Sequence, residues 1–588
     1  VLEALAADAL LLESELRGRG HARAELEKLA SRGWLERVEL AAAETPSSRE
    51  ATLSSAPELT ADQRRALAEI KASGSGFRAF LLQGVTGSGK TEIYMQLISA
   101  EIAAGRQSLL LVPEISLTPQ LVKRLEQRFG PRLAIMHSAL TDRERLDAWI
   151  ASRSGRAGLV VGTRSAVFAP LRRPGLVIVD EEHDTSFKQA EGFRYSARDL
   201  AVYRARQLDL PVVLGSATPS LESLHNVSQG RYRLLRLPRR IGAAGVPDMR
   251  IVDLNQHASR NGLSTPLLAA IEQHLDAGNQ IMLFLNRRGF APALFCAECG
   301  VAEECRRCDA RMTIHAATGR LRCHHCGAER RLAWACPKCG TERVAVGAGT
   351  QRVTEELRAL YPAARIGRLD RDATSRRGSL ASVLADVEGG KIRILVGTQM
   401  LAKGHDFPNV TLVGVLNADQ GLFGTDFRSI ERLAQTIVQV AGRAGRADQP
   451  GEVLIQTHFP KHPLFDCLRA QDYSRFAELA LAERRSSGWP PFSHLVLWRA
   501  HASSREIVFD FLARVARVAR AGRTGVEVHG PAAAAMERRG DRYRAQVLLQ
   551  CERRTPLHEL VSALAAEVRR WPEARKVRWA IDVDPAEL

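Results

Sequence analysis

The sequence predicts an α/β fold of two parallel-sheet lobes in tandem, the second carrying a cysteine-rich insertion, with a small helical segment ahead and an α+β domain behind. Three observations predict it. Two separate series of short apolar runs alternate with helical patterns, four Cys-x-x-Cys pairs interrupt the second series, and 588 residues exceed what a single hydrophobic core organises.

Residues 1–40 read as short amphipathic helices closing on Gly33, Trp34 and Leu35, the pattern of a partial winged-helix remnant. The chain opens on Val1 inside that pattern, so it is expected to lack a natural N-terminus. Residues 41–58, rich in Ser, Ala and Pro without apolar periodicity, read as a linker. The first lobe, 59–238, is marked by the runs AFLLQ, SLLLVP, GLVVGT, GLVIVD and PVVLGS, each of buried-strand length. The second lobe, 239–460, carries QIMLFLN, RILVGT, TLVGVLN and GEVLIQT, with the insertion at 291–346. Residues 461–588 form an α+β segment whose chemistry the sequence does not announce.

Composition narrows the partners. Lys and Arg number 83 against 66 acids, a formal charge of +17, and most of the basic residues are Arg, which suits bidentate phosphate contacts. Nucleic acid is the implied partner; a basic surface without a partner is the competing explanation. No apolar run approaches the ~18 residues of a membrane span, and no signal-peptide pattern opens the sequence. A reducing, cytoplasmic location is expected, so the ten cysteines point to metal rather than disulfides.

Gly84-Val85-Thr86-Gly87-Ser88-Gly89-Lys90-Thr91 fits GxxxxGK[ST] between the strand AFLLQ and the helical run EIYMQLISAEIAA. In that context the backbone N–H groups of Gly84, Gly87, Ser88 and Gly89 wrap phosphates, Lys90 reaches the β/γ-phosphates and Thr91 holds Mg²⁺. Asp180-Glu181-Glu182-His183 ends the strand GLVIVD. Asp180 is the expected Mg²⁺ partner and Glu181 the candidate base for water. In QTIVQVAGRAGR, Gln439, Arg443 and Arg446 recur at helical spacing among small residues, so Arg443 and Arg446 are expected to act as arginine fingers from the second lobe. Hydrolysis then depends on lobe closure, which converts a chemical cycle into movement.

Cys296/Cys299, Cys305/Cys308, Cys323/Cys326 and Cys336/Cys339 fall within 44 residues, each pair able to supply two thiolates from one turn. Gly300, Gly327 and Gly340 follow three of the second cysteines. Three pairings are possible. The inner pairs enclose 14 residues, near the spacing of a zinc ribbon, whereas a sequential pairing leaves five between the first two pairs. Nested pairing is preferred, with Cys296, Cys299, Cys336 and Cys339 around one Zn²⁺ and Cys305, Cys308, Cys323 and Cys326 around the other. Disulfides and an iron–sulfur cluster are the competing uses. His315, His324 and His325 lie nearby but are surplus to two saturated tetrahedral ions, and Cys467 and Cys551 read as buried apolar residues.

The ordered set of these motifs with Gly162-Thr163-Arg164-Ser165, Gly215-Ser216-Ala217-Thr218-Pro219, Asn286-Arg287-Arg288-Gly289-Phe290 and Gly397-Thr398-Gln399-Met400-Leu401-Ala402-Lys403-Gly404-His405-Asp406 resembles superfamily 2 helicases of the DEAH-like kind, whose two lobes are RecA-like. Adding the cysteine pairs, LVPEISLTPQ, DEEHDTSFKQAEGFRYSARDLAVYRA, FLNRRGFAPAL and the ending RKVRWAIDVDP, it resembles the PriA family of bacterial primosomal replication-restart helicases from about Leu59 to Leu588. That resemblance implies an ATP-dependent 3′→5′ DNA helicase that remodels stalled forks. Its implied partners are forked and single-stranded DNA, a single-stranded-DNA-binding protein and primosome or helicase-loading proteins, with the chain itself a monomer. It implies that Gln63 reads adenine, that Ser216, Ala217 and Thr218 couple hydrolysis to unwinding, and that Phe187, Phe193 and Tyr195 form an aromatic-rich loop sensing single-stranded DNA. Arg164, Arg287, Thr398 and Lys403 fall in motifs that face the DNA backbone. The family's leading 3′-end-binding domain has no counterpart here, and residues 1–40 match only the tail of the winged helix that follows it. A DNA-bound assembly scaffold with an idle motor and an RNA helicase are the competing functions; the complete motor motifs disfavour the first and the cysteine insertion the second.

Overall fold

The computed structural model describes residues 16, 21–35, 57–72, 74, 76–241, 245–285, 293–296, 298–299, 303–315, 319–323, 325–346, 349–370, 379–402, 407, 409–424, 426–445, 450–522 and 525–588. The chain divides into two units, Val1–Thr52 and Leu53–Leu588. In the first, the helix Arg23–Ser31 ends in a turn where Gly33 takes φ 71° and Trp34 N–H reaches Leu29 O at 3.1 Å. The remainder of the winged-helix expectation and nearly all of the linker lie outside the described residues.

The second unit begins with a seven-stranded sheet. Its strands are β1 (Arg78–Gly84), β2 (Gln107–Leu111), β3 (Leu133–Met136), β4 (Leu159–Gly162), β5 (Pro174–Asp180), β6 (Pro211–Ser216) and β7 (Arg233–Leu237). They pair in the order β3-β4-β2-β5-β6-β1-β7, all parallel. Successive residues of β1 point to opposite faces, so Phe80 and Leu82 enter one apolar layer and Ala79 and Leu81 the other. Helices cover both faces, which is why the central strands read as unbroken apolar runs. The edge strands β3 and β7 are half-buried and carry weaker runs that do not stand out in the sequence.

A second parallel sheet follows, in the order Ile366–Leu369, Ile394–Gly397, Gln280–Leu285, Val410–Leu416, Glu452–Thr457, Asp248–Asp253. Again its two edges, Ile366–Leu369 and Asp248–Asp253, are the strands without a conspicuous apolar run. Between Gln280–Leu285 and Ile366–Leu369 stands the insertion, a five-stranded antiparallel sheet. Helices Pro463–Arg469 and Tyr473–Ser486 place Leu464, Phe465, Leu468 and Phe476 in the core of this lobe, so that core continues past residue 460 into the segment expected to be a separate α+β domain. The antiparallel sheet of that domain begins at His494, in the order Glu527–Arg539, Arg542–Cys551, His494–Ala502, Arg578–Val583, with helices Arg505–Ala521 and Arg554–Val568 packed on it around Trp498. Among the described residues no helix is long and apolar enough to cross a membrane.

Candidate functional site

The phosphate loop links β1 to the helix Lys90–Ala103. Gly87 and Gly89 take φ 81° and 77°, and a Cβ on Gly84 would lie 2.5 Å from Ser88 Oγ. Glycine is required at these three positions to turn the backbone so tightly. Lys90 Nζ donates to Gly84 O at 2.9 Å, Thr91 is half-buried in the first helical turn, and the buried Ser88 Oγ has no hydrogen-bond partner. A loop at a helix N-terminus with an unsatisfied hydroxyl and a lysine is the donor set an anionic phosphate satisfies. Gln63 is 1 % exposed; its amide donates to Ser88 O at 2.9 Å and accepts from Thr60 N at 2.8 Å. It braces the phosphate loop from behind. The segment after β7 braces the other side, Leu237 O accepting from Val85 N and Ile241 N donating to Gly87 O.

Asp180 stands at the tip of β5, next to β1 across β6. Tyr94 donates to Asp180 Oδ1 at 3.0 Å from one helical turn beyond Lys90. Burial, and then the neighbouring Glu181, push the Asp180 carboxyl up to about 6, against the pull of Lys90 and of the Tyr94 hydrogen bond. Glu181 is held at φ 48°, an uncommon conformation for a side-chain-bearing residue. Glu182 serves the fold rather than the nucleotide. It is 1 % exposed and accepts from Ser220 N, Ser220 Oγ and Ser223 Oγ at 2.7–3.0 Å, fastening β5 to the turn after β6.

Asp180 and Glu181 are followed by a chain of polar contacts that crosses between the lobes. His183 Nδ1 meets Ser216 Oγ at 2.7 Å, and His183 Nε2 meets the Gln439 amide at 2.8 Å. Ser216 and Thr218 are fully buried there, Thr218 N donating to Ser216 Oγ. At the end of helix Ser429–Ala441 the backbone packs on the phosphate loop, where a Cβ on Gly442 would lie 2.5 Å from Thr86 Oγ1. The next residue, Arg443, is half-buried. Arg240 Nη1, in the segment after β7 that braces the phosphate loop, donates to Gly445 O at 3.0 Å. Arg446 lies outside the described residues.

Beside this chain is a buried charge cluster that inspection of single segments does not reveal. Glu431 Oε1 accepts from Leu221 N at 3.0 Å, capping the first-lobe helix Leu221–Ser228, and its Oε2 accepts from Arg484 Nη2 at 2.5 Å. Glu222 pairs with Arg428 at 2.7 Å and Arg484 at 3.5 Å. Burial alone would raise the Glu222 carboxyl, but Arg428, Arg484 and Arg198 outweigh it and hold it at about 2.

The aromatic-rich loop is only partly what its composition suggests. Phe193 is 75 % exposed and lies 5.8 Å from the Tyr195 ring, which meets the exposed Phe168 edge-on at 5.0 Å. Phe187 is a correction: it is 2 % exposed, pointing inward from the turn Thr185–Phe187 into the first-lobe core, and has no ring face to offer DNA. Arg164 Nη1 donates to Ser186 O and Lys188 O, both at 3.0 Å, so it holds this loop. Thr398 is half-buried at the end of strand Ile394–Gly397; Arg287 and Lys403 lie outside the described residues.

The eight cysteines gather as the nested sets Cys296, Cys299, Cys336, Cys339 and Cys305, Cys308, Cys323, Cys326, all Sγ atoms of a set within 4.8 Å of one another and none in a disulfide. Sγ separations of 3.4–3.7 Å match the ~3.8 Å edge of a tetrahedron with Zn–S bonds of about 2.3 Å. Gly327 and Gly340, at φ 74° and 77°, turn their N–H groups back on Cys323 O and Cys336 O. Gly300 lies outside the described residues. Cys467 and Cys551 are buried apart from both sets.

Comparison with known proteins bears on the whole of this arrangement. The DEAD/DEAH box helicase family matches residues 60–227, the helicase conserved C-terminal domain 343–448, the PriA DNA helicase Cys-rich region domain 305–331 and the primosomal protein N C-terminal domain 485–586. The chain is 45 % identical to the replication restart protein PriA of Haemophilus influenzae over 95 % of its own length and 77 % of the relative's. This chain belongs to the PriA family. The PriA proteins of Bacillus subtilis and Treponema pallidum are 42 % and 39 % identical to it, each over 90 % of this chain and over 66 % and 80 % of their own lengths. Like them it is a helicase of replication restart, with the two four-cysteine clusters set inside the second motor lobe.

Proposed function

We propose that this chain is an ATP-dependent DNA helicase that translocates 3′→5′, remodels stalled replication forks and initiates primosome assembly. The observation that carries it is the crossing from Ser216 through His183 to Gln439, with Gly442 seated on Thr86, because it joins the nucleotide loop of one lobe to the arginine-bearing helix of the other. The loop N–H groups and Lys90 bind and orient the triphosphate of the substrate. Thr91 and Asp180 would hold Mg²⁺, which when bound neutralises developing phosphate charge. Glu181 positions the attacking water and accepts its proton, and Arg443 and Arg446 stabilise the transition state from across the junction. Gln63 supports the loop that grips the phosphates; to read adenine it would have to release Thr60 N or Ser88 O. Phe193 and Tyr195 are the rings placed to stack on single-stranded DNA, and Arg164 acts by shaping their loop.

The two Cys₄ sets would hold structural Zn²⁺, all four ligand positions being thiolates. The motor works as a monomer in the cytoplasm, with single-stranded-DNA-binding protein and primosome or helicase-loading proteins as partners. The deciding measurement is the ATPase rate with and without single-stranded DNA or RNA, on the parent and on Lys90→Ala, together with unwinding of forks bearing free or blocked 3′ ends. DNA stimulation lost in Lys90→Ala is the expected result; equal rates in parent and variant, or stimulation by RNA alone, would overturn it.

A further inference from the structure

The second cysteine set is not enclosed by the insertion alone. The turn joining strands Glu527–Arg539 and Arg542–Cys551 of the C-terminal domain lies over it. Gly540, at φ 59°, donates its N–H to Cys308 Sγ at 3.1 Å. On either side the two backbones pair: Asp309 N donates to Arg538 O and Asp541 N to Arg307 O, both at 2.9 Å, while Arg538 N donates to Asp309 Oδ2 at 2.6 Å. Arg307 forms an ion pair with Asp541, Arg539 Nε donates to His325 O, and Met536 packs against the small core of Cys305, Met312, Ile314 and Leu321. Each set also has a backbone donor from its own turn, Arg307 N on Cys305 Sγ and Lys338 N on Cys336 Sγ, so the Gly540 contact is an addition at the second set.

A Zn²⁺ ion with four thiolates carries two net negative charges, and N–H donors on sulfur are what let such a group be buried. One such donor at the second set belongs to a residue more than 200 positions away in the chain. We propose that the Gly540 turn is the outer shell of the second zinc site, so that zinc retention there and docking of the C-terminal hairpin are linked equilibria. Each favours the other by the same factor. This rests on zinc occupying the second set, and the first set is independent of the hairpin.

The test uses the full chain loaded with zinc. Asp541→Arg replaces the Arg307 pair by like-charge repulsion and weakens docking of the turn, read as faster hydrogen exchange in the hairpin; the double variant Arg307→Asp with Asp541→Arg restores the pair with its charges exchanged. Zinc release to a chelator is followed with a metallochromic indicator. In Asp541→Arg one of two zinc ions should leave about 10–100-fold faster, the cost typical of a lost outer-shell partner, while the other keeps the parental rate and the double variant recovers. In the reverse direction, Cys305→Ser with Cys308→Ser should raise hydrogen exchange across residues 527–551, and Cys336→Ser with Cys339→Ser should not. Parental release rates in a variant whose hairpin exchanges freely, or an unchanged hairpin in the Cys305/Cys308 variant, would overturn the linkage. A parent chain binding fewer than two zinc ions would instead overturn the zinc assignment beneath it.

Discussion

Gly215 has no side chain, and Tyr94 uses the space: a Cβ there would lie 1.6 Å from the Tyr94 hydroxyl. That space lets Tyr94 hydrogen-bond Asp180, a contact that opposes the upward push of burial and Glu181 on the carboxyl. Asp180 must be ionised to accept a cation, so kcat/KM for the magnesium nucleotide should fall as pH drops through about 6. Tyr94→Phe removes a hydrogen bond to the charged form, worth about 1.5–3 kcal/mol, and should move that acid limb upward by about one pH unit in a pH–rate profile. The same shift fixes a sign for stability. The folded value lies above the ordinary carboxylate range near about 4, so the Asp180 contribution is greatest when both states are protonated and declines as pH rises to about 6. Added cation should reverse that decline, seen as a larger thermal stabilisation by magnesium nucleotide at pH 7 than at pH 5.

At the scale of elements, the turn Thr185–Phe187 and the residues after it divide their aromatics between core and solvent. Phe193→Ala should weaken single-stranded DNA binding by about 5- to 150-fold, the equivalent of ~1–3 kcal/mol of base stacking, and leave thermal unfolding unchanged. Phe187→Ala should do the reverse, costing about 3–5 kcal/mol of stability through the cavity it leaves. The helix Leu221–Ser228 begins at a first-lobe turn yet is capped by Glu431 of the second lobe, itself held by Arg484. Removing one partner of a buried ion pair typically costs about 3–5 kcal/mol, whereas replacing both by apolar groups of similar volume is close to neutral. Arg484→Ala should therefore lower the melting temperature and the DNA-stimulated ATPase together. Arg484→Met with Glu431→Met should recover the melting temperature in part, less the about 1–3 kcal/mol that the newly uncapped Leu221 N–H costs, while the ATPase stays low because the contact between the lobes is gone; calorimetry beside the ATPase assay separates the two.

At the scale of the whole molecule, three bodies close on one another around the junction. Lys188, two residues from Ser186 in the aromatic loop, donates to Val583 O and Asp584 O and pairs with Asp582, while Arg432 of the second lobe contacts Ala586. The C-terminal strand Arg578–Val583 and the residues after it thus touch both motor lobes. The two four-cysteine sets lie in an insertion between Gln280–Leu285 and Ile366–Leu369, outside the lobe that carries the nucleotide loop. Chelation of zinc should abolish fork unwinding while a fluorescent nucleotide still binds the first lobe with parental affinity; loss of nucleotide binding on chelation would show that the ribbons support the motor core itself.

The phosphate loop, the Asp180 turn and the cysteine pairs were legible in the sequence because each is a local device, its chemistry set by residues a few positions apart. The nested cysteine pairing followed from spacing for the same reason. The central strands were legible because burial on both faces demands unbroken apolar runs, and the edge strands were not, because one open side relaxes that demand. Tertiary structure alone decided the rest. Glu222, Glu431, Arg428 and Arg484 come from three separated segments, and nothing in any one of them marks a charge that will be buried beside its opposite. The same holds for Gln63, read as a nucleotide contact and found bracing the loop, and for Phe187, an aromatic among aromatics whose inward direction depends on one backbone turn. Local sequence encodes what neighbours along the chain do together; which distant groups meet is set only when the packing of all of them is satisfied at once.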